Sequence, residues 1–203
     1  RINDSIQFPQ INPKVMTVGE ALKNLKAPNG KFYNHDIEQA AIKSKLDLER
    51  IKCIPEGCGI RYEEDELAYL PKKLKLGVDW KTLRENRFRQ TKYRRLDRKK
   101  PSPTIMTHKQ NYFHPTEPRY LTPREAAALQ SFPNDFKFMG PLSAQWRQIG
   151  NAVPPKLGLA LGKALMSMYG EKKKALETKA PKKSKAKSDE IVTSIRKRAF
   201  LYK

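Results

Sequence analysis

The sequence has no run of ~18 apolar residues, and so no segment that reads as a membrane-spanning helix. No apolar stretch follows Arg1-Ile2-Asn3-Asp4, so the start does not read as a secretory signal. Cysteine is scarce: Cys53 and Cys58 are the only two, too few for a disulfide framework in a chain of 203 residues. His35 is the only histidine near them, so zinc would lack ligands and no metal site is expected. Two reduced thiols fit a cytosolic setting. The chain also lacks an initiator Met and any internal repeat, and the expectation is that it is a piece of something longer. Acidic residues are the other shortage, with 21 Asp and Glu against 42 Lys and Arg.

That shortage leaves a net charge of +21. A field of this sign selects polyanions, most simply nucleic acid, because cations that neutralise phosphates release condensed counterions. An anionic membrane surface fits less well, since the one strongly amphipathic helix carries few cations on its polar face. Residues 81–100 concentrate the charge, with ten Lys or Arg (Arg94 and Arg95 among them) against Glu85 and Asp97. Phe88 and Tyr93 lie between these cations, the composition of a surface that tracks phosphates and stacks bases. A solvated basic face gives the same composition.

Local signals divide the rest. Thr17 with Glu20 has capping-box spacing and predicts a short helix beginning there. Ile37, Ala41, Leu48 and Ile51 repeat at helical period between residues 34 and 53, until Pro55 and Gly57 break it. Residues 62–80 are mixed and receive no assignment. Pro101-Ser102-Pro103-Thr104-Ile105 predicts a rigid extended lead into a short strand. Thr122, Pro123 and Glu125 spell an N-cap, a first-turn proline and a capping box, so a helix starts at Pro123, with Arg124 and Glu125 as cap and surface charge. A second helix over residues 143–149 is expected to end at Gly150 in the left-handed cap. A third, after Pro154-Pro155, carries Leu157, Leu161, Leu165 and Met168 and is expected to close at Gly170 with that stripe in a core. Residues 171–203 hold 12 of the Lys and Arg against 4 acids, a Lys-rich tail whose run reads as disordered, with residues 191–201 as a candidate terminal helix.

Capping and periodicity do not explain Gln130-Ser131-Phe132-Pro133 or Gln148-Ile149-Gly150-Asn151-Ala152-Val153-Pro154-Pro155, nor their order after Arg94-Arg95-Leu96 and Thr104-Ile105. Together these resemble the C-terminal portion of bacterial-type DNA (cytosine-5) methyltransferases. Residues 119–133 look like that family's ninth motif and residues 148–155 like its tenth. Thr104-Ile105 looks like the Thr-plus-aliphatic pair of its target-recognition domain. The resemblance is dense over residues 94–165. It is thinner over residues 1–60, where Val15 to Leu22 and Arg50-Ile51 with Ile54-Pro55 look like the lead-in.

The resemblance implies an α+β chain: a lead-in from a catalytic domain (1–30), a small target-recognition domain of short strands and loops (31–120), a helical segment that packs back on a Rossmann-like catalytic domain (121–170), and a basic tail (171–203). It implies a restriction-modification enzyme of the bacterial cytoplasm, acting at the nucleoid, that moves a methyl group from S-adenosylmethionine to C5 of cytosine in duplex DNA. Thr104, Arg94 and Arg95 would contact DNA, and Asn151 and Val153 would contact the cofactor. The family's Gly-rich loop, Pro-Cys nucleophile, Glu-Asn-Val acid and Gln-x-Arg-x-Arg segment do not occur in this sequence, and neither cysteine follows a proline. No catalytic residue is therefore expected here. The implied partners are duplex DNA and a catalytic N-terminal half, either a separate subunit or the rest of one chain. A DNA-binding module without catalysis and a basic RNA-binding protein remain as alternatives.

Overall fold

The computed structural model describes residues 9, 14–23, 25, 29–83 and 87–179, with side chains left aside at 84–90, 111 and from 169 onward. The chain divides into two compact units, Gln10–Leu159 and a second formed by residues 1–9 with 160–203. Along the chain run α1 (Val18–Lys23), α2 (Ile37–Ala40), α3 (Lys45–Cys53), β1 (Ile60–Tyr62), α4 (Glu63–Tyr69), β2 (Arg87–Lys92), α5 (Pro123–Leu129), α6 (Leu142–Asn151) and α7 (Pro155–Lys179). Single 3-10 turns occupy Lys72–Leu74 and Lys109–Asn111. The described elements are thus seven α-helices and one two-stranded antiparallel sheet, an α+β content. None of these helices is long and apolar enough to cross a membrane.

Caps set most helix starts. Thr17 and Glu20 exchange hydrogen bonds at the start of α1, as the spacing predicts. Thr122 and Glu125 do the same for α5, with Pro123 in the first turn. The helical period across residues 34–53 resolves into two helices rather than one. Asp36 caps α2 and Ser44 caps α3, and between them the carbonyl of Ala40 accepts the amide of Tyr120 at 3.0 Å. That tertiary bond takes the acceptor a continuous helix would have offered to Ser44. β1 and β2 pair with Ile60 opposite Lys92 and Tyr62 opposite Arg87, an irregular register that makes β2 bulge.

Two apolar clusters sit inside the larger unit. One joins Val18, Leu96, Ile105 and Leu121 to Ala126, Ala127, Phe138, Trp146 and Ile149. It therefore fuses α1, the 96–105 segment, α5 and α6. The other joins Ile51, Ile54 and Ile60 to Leu70, Leu74, Trp80 and Phe113. Burying a full aliphatic side chain contributes about 1.5–3 kcal/mol, so each cluster outweighs any single cap.

Several expectations need correction. Residues 101–106 lie in no strand; Pro101 and Pro103 lack donors, and the Thr104 carbonyl is taken by the Tyr112 hydroxyl. α6 does not stop at Gly150 in a left-handed cap; it runs to Asn151, and Ala152 is the extended C-cap. α7 passes Gly170 and continues to Lys179, so the first nine residues of the expected tail are helical. Its stripe is not core: Leu157, Leu161 and Leu165 are 50%, 44% and 66% exposed. The remainder of the tail, with the helix expected at 191–201, lies outside the described residues.

Candidate nucleic-acid interface

Arg94 and Arg95 are neighbours in sequence with different fates. Arg95 turns inward and donates to the carbonyls of Ile54 at 3.0 Å and Pro115 at 2.8 Å, and burial pushes its pKa down. Its Nε is buried without a hydrogen-bond partner. Arg95 is half-buried and ties the 94–96 segment to the end of α3 and to the 115 loop, so the side chain expected at DNA has a scaffold role. Arg94 is exposed, with its guanidinium 5.7 Å from the centre of the Tyr112 ring, within cation–π range.

Tyr112 connects Arg94 to the other expected DNA residue. Its hydroxyl donates to the Thr104 carbonyl at 3.0 Å, and burial raises its pKa while Arg94 opposes the rise. Thr104 itself is exposed, whereas the next side chain, Ile105, is anchored in the first cluster. The structure thus brings Thr104 and Arg94 together through a tyrosine that the sequence patterns did not mark.

The remaining cations of residues 81–100 are not equivalent. Arg98 is held by the Glu56 carboxylate at 2.9 and 3.0 Å, and Lys100 pairs with Asp97 at 3.4 Å. Tyr93, expected among base-stacking aromatics, is half-buried and stacks on Phe113. Its hydroxyl donates to Asp47 at 2.6 Å, and burial with that bond pushes its pKa up to about 12. Tyr93 is thus part of the scaffold. The side chain of Phe88 lies outside the described residues.

Gly150 explains how α6 meets this surface. A Cβ there would stand 2.6–2.7 Å from the carbonyl of Met106 and the amide nitrogen of Thr107. Glycine is needed for close approach of two backbones, not for a turn. One residue on, Asn151 is exposed at the helix end, and Val153 is 62% exposed beyond the cap. The expected cofactor residues therefore sit at the end of the helix whose glycine backs the 104–107 segment.

Arg124 and Glu125 are not surface charges. Arg124 is fully buried and donates to the carbonyls of Tyr33 at 2.9 Å, Pro133 at 3.0 Å and Phe136. Glu125 receives both arms of Arg119 at 2.7 and 2.8 Å and the Thr122 amide at 2.8 Å. Burial works against both ions of that pair. Their mutual hydrogen bonds prevail, lowering the Glu125 pKa and raising that of Arg119. Asn34, with left-handed backbone, bonds the Phe138 carbonyl and amide. Residues 119–138 are in this way a polar hub tied to the 33–34 segment.

The family described as C-5 cytosine-specific DNA methylase has a model that matches residues 4–167. Type II methyltransferase M.PspPI of a Psychrobacter species is 34% identical over 175 residues, covering 81% of this chain and 39% of that protein. Type II methyltransferase M.Eco47II of Escherichia coli is 32% identical over 170 residues, covering 80% and 37%. Putative type II methyltransferase M.MJ0563P of Methanocaldococcus jannaschii is 34% identical over 157 residues, covering 77% and 42%. The chain spans about two fifths of the length of these curated relatives.

Proposed function

Because the chain belongs to the C-5 cytosine-specific DNA methylase family, we propose that it is the target-recognition and cofactor-pocket-completing part of a DNA (cytosine-5) methyltransferase. Residues 31–120 read duplex DNA, with Thr104 facing base edges and Arg94 facing a base or phosphate. Residues 121–170 orient that reader and carry Asn151 and Val153 to one wall of an S-adenosylmethionine site. An exposed amide beside an exposed apolar side chain suits a ligand with polar and apolar faces. The cofactor, when bound, supplies the methyl group. The nucleophile and the main cofactor pocket belong to a catalytic portion of the same enzyme, and the exposed leucines of α7 face that portion.

The observation that carries this reading is the contact at Gly150, which fastens the helix bearing Asn151 to the segment bearing Thr104. DNA reading and cofactor contact then lie at two ends of one packed joint. A stand-alone DNA-binding module leaves the α7 leucines without a purpose.

The test compares binding of the full chain to duplex DNA and duplex RNA across a salt series. DNA is expected to bind more tightly, with affinity falling steeply as salt rises. Arg94→Ala is expected to lower the salt slope by about 1 if Arg94 holds a phosphate, or to relax selectivity at one base pair if it reads a base. Arg95→Ala is expected to act on stability instead, by about 1–3 kcal/mol, because two carbonyls lose their donors. A preference for duplex RNA overturns the reading.

A further inference from the structure

An exposed segment that reads base edges has to be held to within about half an ångström of its working position. Residues 101–106 lie in no helix and no ladder, so that precision comes from elsewhere. Three restraints surround Thr104. The Ile105 side chain is buried in the first cluster, and the backbone at 106–107 lies against Gly150. The third is Tyr112, whose hydroxyl holds the Thr104 carbonyl. Of the three, Tyr112 alone also touches the exposed cation, since its ring lies under the Arg94 guanidinium. An arginine carries large rotamer freedom, and a ring beneath its planar head limits where that head points. Tyr112 is itself anchored, because the next residue, Phe113, is buried in the second cluster and its amide donates to the Arg94 carbonyl at 2.9 Å.

We infer that Tyr112 is the positioning residue of the DNA-reading surface, setting the Thr104 peptide with its hydroxyl and the Arg94 head with its ring, and so governing which base pairs are discriminated. This rests on the proposed reading of Thr104 and Arg94 as DNA contacts. The two parts of the side chain separate cleanly. Tyr112→Phe removes the hydroxyl bond and keeps the ring, whereas Tyr112→Leu removes both.

The probe is a pool of duplexes of about 30 base pairs with a randomised core, bound to the full chain and sequenced before and after selection. The unaltered chain enriches a defined pattern. Tyr112→Phe keeps total affinity within about twofold and loses about fivefold of the enrichment at the positions read through Thr104, the scale of one lost hydrogen bond. Tyr112→Leu loses that enrichment and also weakens total binding, with the melting temperature recorded for each variant to separate unfolding from misplacement. In a double variant with Thr104→Ala, Tyr112→Phe adds no further loss at those positions, because it acts through Thr104. An enrichment pattern unchanged in Tyr112→Phe overturns the inference, as do additive losses in the double variant. Absence of any enrichment by the unaltered chain overturns the DNA-reading proposal itself, and this inference with it.

Discussion

At the scale of single residues, the most consequential feature is a cluster of charges that do not touch the proposed ligands. Arg119 and Glu125 form a forked, buried pair, and Glu125→Ala removes the buried carboxylate and the acceptor of the Thr122 amide, leaving the guanidinium only the exposed Glu117 carboxylate and the Tyr120 carbonyl. The expected loss is about 3–5 kcal/mol, well above the ~1 kcal/mol of an ordinary capping residue, and urea denaturation measures it. His114 sits beside the pair. Its Nδ1 accepts the amides of Thr116 at 3.3 Å and Glu117 at 3.1 Å, so the ring carries its proton on Nε2, 3.8 Å from Glu125. Burial lowers the His114 pKa, with Glu125 opposing and Arg119 reinforcing the shift, and burial lowers that of His35 as well. Both folded values lie below 6.5, so the unfolded chain takes up protons first as the pH falls. Their contribution to stability is full above 6.5 and is lost as pH drops through and below it. The urea midpoint is therefore expected to fall between pH 7.5 and 5.5. His114→Gln, which cannot titrate, flattens that fall, and an unchanged slope contradicts the assignment.

At the scale of elements, α6 is the joint between the two halves of the proposed site. Helix propensity alone says that Gly150→Ala stabilises by about 1 kcal/mol. The added methyl meets backbone rather than a yielding side chain, and overpacking of that kind costs about 1–3 kcal/mol. The clash wins, so the variant is expected to melt lower while its circular dichroism stays helical; a higher melting temperature contradicts the close approach. Along α7 the opposite holds. Leu161→Gln on an exposed face is expected to change stability by less than about 0.5 kcal/mol, whereas Ile149→Ala, fully buried, costs about 2–5 kcal/mol. These same elements show what was legible in the sequence. The Thr17, Thr122 and Glu125 caps were readable because their partners lie three residues away. The break after Ala40 was not, since it depends on the amide of Tyr120. Arg94 and Arg95 are chemically identical, and only the distant carbonyls of Ile54 and Pro115 separate them. Motif order is what proposes Thr104 and Asn151. Tyr112 carries no local signal, its partners being 8 and 18 positions away, and a glycine at 150 fits a left-handed cap as well as the close backbone approach that it makes. The α7 leucines lie exposed, and a period of 3.6 marks an apolar face without saying what covers it.

At the scale of the whole molecule, the proposed reading gives the charge of +21 the first encounter with DNA, drawing the duplex in before any base is read. Residues 171–203 contribute +8 of it, from 12 cations and 4 acids. Cations in a Lys-rich run meet phosphates and not base edges, so removing this segment is expected to weaken binding equally for all duplexes and to flatten the salt dependence. Loss of sequence preference on truncation contradicts that division of labour. The central claim is that the chain reads DNA and completes a cofactor site whose reacting groups lie on another portion of the enzyme. One measurement addresses it directly: the full chain is incubated with duplex DNA and methyl-labelled S-adenosylmethionine, and the protein–DNA band is separated and counted for label. The account predicts a shifted duplex that carries no label. A labelled duplex would contradict it, placing a reacting cysteine at Cys53 or Cys58, and so would a duplex that never shifts.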